Sequence, residues 1–593
     1  MKTFFKVFFY TMGGIFVTSI VIGIVMVYSI LGKLGSALDG GDEKEFVAKS
    51  RSVLKIDFNG QISERNGSNP FAALSGKGEG LSLDMVLMNL KKAKEDTAIK
   101  GVFMQMDAPE AGFATIEEIR NGLLDFKKSG KFIYAYGETY SQKSYYLATA
   151  ADKIFLNPQG GMELKGLSAQ IMFYKKALEN LNVEVQIFKH GKFKSAVEPY
   201  FLDKMSPANR EQTTAFIGSI WTSVLNGISK QRNISVDELN KMADELTIKD
   251  PQSALDKKLV DGLKYDDEVQ EFLKEKLGIK KEDKIAFVKM NQYKKSANNL
   301  FAEKTNAGSK IAVIYAVGSI ESGEGNDETI GSDRIARAIK EARLDSTVKA
   351  IVLRVNSPGG SALASDVMWR EVVLAKKAKP FIVSMGDVAA SGGYYIACAA
   401  DRIFAQPNTI TGSIGVFGIM PNAQKLFSEK LGITIDTVNT NKHSDMGTLY
   451  RGVNAEEREY VQQGVENVYR VFIGRVAEGR KMEVKDVDSI GQGRVWSGTD
   501  ALTKKLVDEL GGFETAIKYA ASKANLKENE YALVAYPKKA KPFEKFFNNL
   551  EDNVETRVLS GKLGEQYNYI QHIKFLMNVK GVQARLPFDY IIY

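Results

Sequence analysis

Residues 132–158, FIYAYGETYSQKSYYLATAADKIFLNP, and residues 381–407, FIVSMGDVAASGGYYIACAADRIFAQP, are two versions of one segment. Each opens on a β-rich run, passes through a short stretch rich in Ala and Tyr, and closes on Ile-Phe and a proline. The likeness continues outward in register. IKGVFMQMDAP (99–109) is answered by VKAIVLRVNSP (348–358), and both pairs share one displacement, 381 − 132 = 348 − 99 = 249. A constant displacement over 60 positions marks a duplication. Further upstream SVLKIDFNGQI (52–62) matches KIAVIYAVGSI (310–320), each a strand pattern closing on Gly-x-Ile. Amphipathic helical stretches lie between the strands, such as 116–128 in the first copy and 333–342 in the second. Short Val/Ile/Phe runs alternating with helices imply a parallel sheet covered on both faces. The expected fold is therefore α/β, with two tandem βα repeats at 51–305 and 306–537. A tail at 538–593 opens basic (KKAKPFEKF) and ends aromatic (LPFDYIIY), as a docking or surface segment would.

The N-terminus carries a different signal. Val7 to Gly32 is a run of 26 residues without a charge, bracketed by Lys2 and Lys6 before it and Lys33 after it. About 20 apolar residues cross a bilayer, so residues 1–33 are expected to form a transmembrane signal-anchor, with 34–50 as linker. A cleaved signal peptide would have a shorter apolar region and a small-x-small site after it, and none follows Ile30-Leu31. The positive-inside rule then leaves the N-terminus in the cytoplasm and both repeats outside it.

Composition narrows the chemistry. A net charge of +8 over 593 residues, spread along the chain, makes no case for nucleic acid. One cysteine, Cys398, excludes an internal disulfide, and with three histidines a multi-histidine metal site is not expected. No metal or cofactor is predicted. Three histidines also leave a Ser-His-Asp triad hard to staff.

The strongest candidate for catalysis is Ser391, set between two alanines and two glycines in VAASGGYY. Residues 392–400 carry no charge and read as a helix, so the hydroxyl would stand at a helix start, where N–H groups favour developing negative charge. Upstream, the strand pattern AIVLRVN (350–356) runs into Ser357-Pro358-Gly359-Gly360, a turn with bare backbone N–H groups. A nucleophile facing an oxyanion hole fits this outline; so does a serine that merely caps its helix.

Where the second copy is equipped, the first is not. At the displacement of 249, Ser391 faces Gln142, Gly392 faces Lys143, and Gly359 and Gly360 face Glu110 and Ala111. The first copy instead offers HGKFKSAVEPY (190–200), whose Lys194 aligns at or beside His443. A lysine can act as general base for a serine if burial lowers its pKa from about 10.4 towards neutrality. His443, in the polar stretch NTNKHSDMG, is the alternative base.

With NSPGG (356–360), GDVAASGGYY (386–395), TGSIGVFG (411–418) and KSAVEPY (194–200), the chain resembles the signal peptide peptidase A family, also called protease IV, in its two-repeat form. The resemblance spans roughly residues 1–540. It implies Clp protease/crotonase-like repeats, Ser391 as nucleophile and Lys194 as general base. It further implies oxyanion N–H groups from Gly392 and Gly360, and Ser413 orienting the lysine. It implies peptide substrates, notably remnant signal peptides, and a homo-oligomer, by resemblance a tetramer. The expected location is the cell inner membrane, single-pass, with the repeats on the periplasmic side. Two other readings keep the fold: a crotonase-type acyl-CoA enzyme and a non-catalytic membrane scaffold.

Overall fold

The computed structural model describes residues 46–65, 80–293, 308–528, 530–538, 581–586 and 591–592. The expected anchor at 1–33 lies outside them, as do residues 34–45 of its linker. No helix among the described residues is long and apolar enough to cross a membrane.

The first repeat builds on β1 (Ser52–Gln61), β2 (Ile99–Glu110), β3 (Phe132–Tyr140) and β4 (Lys153–Met162), connected through α1 (Leu83–Glu95), α2 (Phe113–Lys127) and α3 (Gln142–Ala148). The sheet order is 262–263, β4, β3, β2, β1, 287–289, and every pairing in it is parallel. Apolar side chains run almost unbroken through β2 and β3, because helices cover both faces. Beyond β4 come β5 (Glu184–Lys189), a 3-10 turn at Ser195–Tyr200, and the long α4 (Pro207–Arg232). Ser206 caps α4 by accepting from Asn209 N–H, with Pro207 at the first helical position.

The second repeat contains β6 (Ser309–Val317), α5 (Ser332–Leu344), β7 (Val348–Ser357), β8 (Gly359–Ser361), α6 (Ala362–Ala378) and β9 (Phe381–Ala390). It continues with α7 (Gly392–Ala397), β10 (Ile410–Gly412), β11 (Phe417–Asn422), α8 (Ala455–Arg480), β12 (Val495–Ser497) and β13 (Tyr531–Tyr536). Its sheet reproduces the first: β9, β7, β6 and β13 stand where β3, β2, β1 and 287–289 do, and all pair in parallel. The 26-residue α4 and α8 are also counterparts, displaced by 455 − 207 = 248. Their flanking sequences differ enough that the duplication does not show there.

Buried polar contacts lock the repeats together. Arg354 on β7, fully buried, pairs with Glu64 at 2.8 Å and with Glu118 of α2 at 2.7 Å. Asp387 on β9 receives Thr115 N–H at 2.9 Å and the Thr115 hydroxyl at 2.6 Å, placing a carboxylate at the N-terminus of α2.

A third, mixed sheet joins both halves. Its order is 329–331, 319–321, β8, β14, β11, β5, where β14 (Gln583–Arg585) comes from the C-terminal segment. Within that segment Gln583, Ala584 and Leu586 are buried, so these residues dock between the repeats, whereas Lys538 and Gly581 are exposed. The apolar side chains of Ala584 and Leu586 fill a slot between the repeats that would otherwise expose β8 and β11.

Candidate active site

Ser391 sits at the sharp turn from β9 into α7, with φ 54° and ψ −113°. That is strained backbone for a residue with a Cβ, costing on the order of 1–3 kcal/mol. Two backbone hydrogen bonds enforce it: Ser391 N–H donates to Gly412 O at 2.8 Å, and Tyr395 N–H donates to Ser391 O at 2.8 Å. The side chain makes no capping bond, so the hydroxyl is free for other work. The helix after it is shorter than the sequence suggests, ending at Ala397 rather than reaching residue 400. At six residues it adds little dipole field, and local N–H groups matter more.

Lys194 reaches this hydroxyl from the first repeat, 197 positions away in sequence. Its Nζ lies 2.8 Å from Ser391 Oγ, 3.1 Å from Ser413 Oγ and 3.3 Å from Ser413 O. All three residues are fully buried. Burial drives the Lys194 pKa well below its ordinary 10.5. A neutral amine has two hydrogens and one lone pair. With the hydrogens on Ser413 Oγ and Ser413 O, the lone pair faces the Ser391 hydroxyl, which becomes the donor.

The lysine is held by residues that no motif announced. Gln212 of α4 donates to Phe193 O at 3.0 Å and Ser195 Oγ at 2.9 Å, and accepts from Val495 N–H at 3.1 Å. It thus clamps both neighbours of Lys194 to the second repeat. Gly493 passes so close that a methyl there would stand 2.5 Å from Lys194 N. Gln212 is invisible in sequence because it lies inside an ordinary helix and acts across the interface.

The glycines of the PGG turn and of SGG face one another. Gly359, at φ +94°, lies against Gly392, and a methyl on it would stand 2.7 Å from Gly392 N. Gly360 lies next along β8 and packs onto Ile320, whose carbonyl a methyl would strike at 2.0 Å. Of the five positions singled out in the sequence, the structure brings Ser391, Lys194 and Ser413 into contact, with Gly392 next to Ser391 in the chain and Gly360 one residue beyond the Gly359 that lies against Gly392. His443 is elsewhere. Its Nδ1 lies 2.9 Å from Glu457 and its Nε2 3.6 Å from Glu456, on a polar segment held by those carboxylates.

The corresponding place in the first repeat is filled. Gln142 accepts from Lys165 N–H and Gly166 N–H at 2.8 and 2.9 Å and donates to Gly166 O at 2.8 Å. At the displacement of 249 those residues answer Ile414 and Gly415, so an amide ties down the loop where the second repeat has Ser391, whose Oγ lies 2.8 Å from Lys194 Nζ and 3.4 Å from Gly415 O.

A buried serine beside a buried amine, with glycine N–H groups adjoining, is the equipment of a serine hydrolase that uses no histidine. The model of peptidase family S49 matches residues 125–280 and 374–527, one match per repeat, beginning 374 − 125 = 249 apart. This chain belongs to peptidase family S49 and is a serine protease. It is similar to Protease 4 of Salmonella typhi, 37% identical over 533 residues, covering 86% of this chain and 85% of that protein. It is also similar to the chloroplastic serine protease SPPA of Arabidopsis thaliana, 35% identical over 554 residues, covering 90% and 77%. Among solved structures, a point mutant of ClpP1 from Listeria monocytogenes aligns at TM-score 0.25 and 13% identity, covering 36% of this chain and 98% of that one. That likeness is too loose to bear on the fold. The acyl-CoA and scaffold readings give way to proteolysis.

Proposed function

We propose that the chain is a membrane-anchored endopeptidase with a Ser391–Lys194 dyad, acting on extended apolar peptides such as remnant signal peptides. The observation that carries the dyad is the 2.8 Å approach of Lys194 Nζ to Ser391 Oγ in a fully buried setting. Lys194 takes the hydroxyl proton as Ser391 attacks the substrate carbonyl, and returns it to the departing amine. The N–H groups of Gly392 and Gly360 receive the oxyanion. Ser413 holds the amine so that its lone pair points at the serine. Each repeat has the parallel βα build of a Clp protease/crotonase unit.

The charge-free run at 7–32, with Lys2 and Lys6 before it, supports a single-pass anchor in the inner membrane and the repeats on the periplasmic side. An anchored enzyme meets peptides left in the bilayer, and the family resemblance supports a homo-oligomer, a tetramer, around them. The test is hydrolysis of an unstructured apolar peptide by the full chain in detergent, beside Ser391→Ala and Lys194→Ala. Both variants should lose cleavage. Cleavage persisting in Lys194→Ala would move the base to another residue; cleavage persisting in Ser391→Ala would end the serine mechanism.

A further inference from the structure

Lys194 and Ser413 are tied to one short turn, residues 491–494, closed by Arg494 N–H donating to Gly491 O at 2.8 Å. Gln492 O accepts from Phe193 N–H at 2.8 Å, Gly493 N–H donates to Ile414 O at 2.7 Å, and Arg494 O accepts from Ser413 N–H at 2.7 Å. Three successive residues thus hold the chain next to Lys194 and the chain at Ser413. Gly191 lies against the first of these carbonyls, where a methyl would stand 2.5 Å from Gln492 O. Gln492 itself has φ 53°, a left-handed conformation that a residue with a Cβ keeps only where its surroundings enforce it.

The enforcement comes from Tyr469 of α8 and Asp488 of the helix Val484–Ile490. Tyr469 O–H donates to Asp488 Oδ1 at 2.6 Å, Gln492 Nε2 donates to the same oxygen at 2.6 Å, and Gln492 N–H donates to Tyr469 Oη at 3.2 Å. These three bonds close a ring that fixes both the side chain and the backbone of Gln492. Burial, and then the bond to the Asp488 carboxylate, raises the phenol pKa above its ordinary 10, so Tyr469 remains a donor. The segment that carries Lys194 braces the ring from outside. His190 stacks on Tyr469 with ring centroids 3.7 Å apart, and its Nδ1 lies 2.6 Å from Glu466 Oε2. The first repeat, which has no nucleophile, keeps only a remnant. At the displacement of 248 that relates α4 to α8, Tyr469 answers Trp221 and Asp488 answers Asn240. Trp221 Nε1 donates to Asn240 Oδ1 at 2.8 Å, with Asn240 exposed. An amide thus replaces the carboxylate, and Gln492 answers Asp244, the last residue of its helix.

We propose that Tyr469 and Asp488 are positioning residues for the general base: through Gln492 they fix the turn that holds Lys194 and Ser413 against the Ser391 hydroxyl. The inference rests on the dyad assigned above. Both residues act through the backbone, and the amine's own partners remain Ser391 and Ser413. The hold on the amine serves two ends. Nζ must stay within hydrogen-bond reach of Ser391 Oγ, now 2.8 Å away, for the proton to pass. The pocket must also stay dry, since burial is what lowers the Lys194 pKa. The ionisable groups around the turn (His190, Glu466, Tyr469 and Asp488) act on the amine by keeping that pocket shut. A slack turn admits water, and the amine takes up a proton again.

The pH dependence of kcat/KM and KM on an unstructured apolar peptide, measured with the full chain in detergent, tests this in Tyr469→Phe, Asp488→Ala and Asp488→Asn. Wild-type kcat/KM should rise with pH through the Lys194 pKa. In Tyr469→Phe and Asp488→Ala the rise should move up by about one pH unit, so that rates fall about tenfold below the midpoint and rejoin wild type above it. KM should change little. Asp488→Asn keeps an acceptor oxygen for both donors, as Asn240 does for Trp221, and should stay near wild type. Tyr145→Phe is the control. It removes another buried phenol, one that donates to Leu259 O at 2.8 Å in the first repeat, and should lower the melting temperature without moving the profile. Tyr469→Phe keeps the carboxylate and Asp488→Ala keeps the phenol, so either one that folds decides the outcome. An unmoved midpoint, whether the rate is unchanged or lowered by one factor at every pH, would refute positioning and leave the proposed function standing. A wild-type profile flat in pH would instead strike at the dyad and take this inference with it.

Discussion

Replacing Lys194 by methionine, once in the unchanged chain and once beside Ser391→Ala, separates two consequences of a buried amine. Methionine fills much of the channel past Gly415 but brings no nitrogen. Lys194 Nζ is the base within reach of the Ser391 proton, so hydrolysis should collapse. General bases contribute about 10²- to 10⁴-fold, which is ~3–5 kcal/mol in the barrier. The kcat/KM of Lys194→Met on an unstructured peptide should fall by that factor. In the wild type, kcat/KM should rise with pH through the lowered Lys194 pKa, because only the neutral amine accepts the proton. The effect on folding follows from the same direction. In the fold the amine titrates well below 10.5, whereas in the unfolded chain it titrates near that value. Between the two pKa values the unfolded chain binds a proton that the folded chain lacks, so stability rises with pH. The Lys194→Met chain loses that dependence. Urea denaturation in steps from about pH 7 to about pH 9 should show the Ser391→Ala chain gaining on Ser391→Ala/Lys194→Met by up to ~1.4 kcal/mol per pH unit. The Ser391→Ala background removes self-digestion from both curves. Parallel curves would mean that the amine stays charged in the fold, and the base assignment would fail with them.

Gly392→Ala places a methyl 2.7 Å from Ser365 Oγ and 3.0 Å from Ala584 O, inside the space reserved for the oxyanion. Its kcat should drop about 10²- to 10³-fold and its melting temperature should fall as Ser365 and the facing backbone give way; an unchanged rate would remove Gly392 from the oxyanion hole. Arg354→Met leaves Glu64 and Glu118 buried without their cation, and should cost about 3–5 kcal/mol at neutral pH. Burial already pushes Glu118 up to about 7 with the arginine present, so in the variant its pKa stands further above the unfolded value. Such a group weakens the fold as pH rises, and the deficit should shrink towards about pH 5 in calorimetry. A deficit independent of pH would mean that the carboxylates find other partners.

Much of the architecture was legible because it is local and repeated. Strands buried on both faces leave unbroken apolar runs, and the displacement of 249 exposes the duplication wherever both copies keep their core. It fails at α4 and α8, whose surfaces have diverged. Ser391 and the glycines could be read because a strained turn and a close approach of backbones demand small residues next to one another. Gln212 and Gly493 could not, since their only role is to touch Lys194 and its neighbours from another element.

By itself the sequence determined an α/β build, its doubling, and which copy holds the hydroxyl and which the amine. Periodicity and short motifs suffice for that, because each is set by neighbours along the chain. Only the tertiary structure decided that Lys194 meets Ser391 and that Ala584 enters the slot beside them. Those meetings depend on how the two repeats pack, through Arg354 with Glu64 and Glu118 and through Asp387 at the start of α2. Such contacts join residues hundreds of positions apart, and no local pattern encodes them.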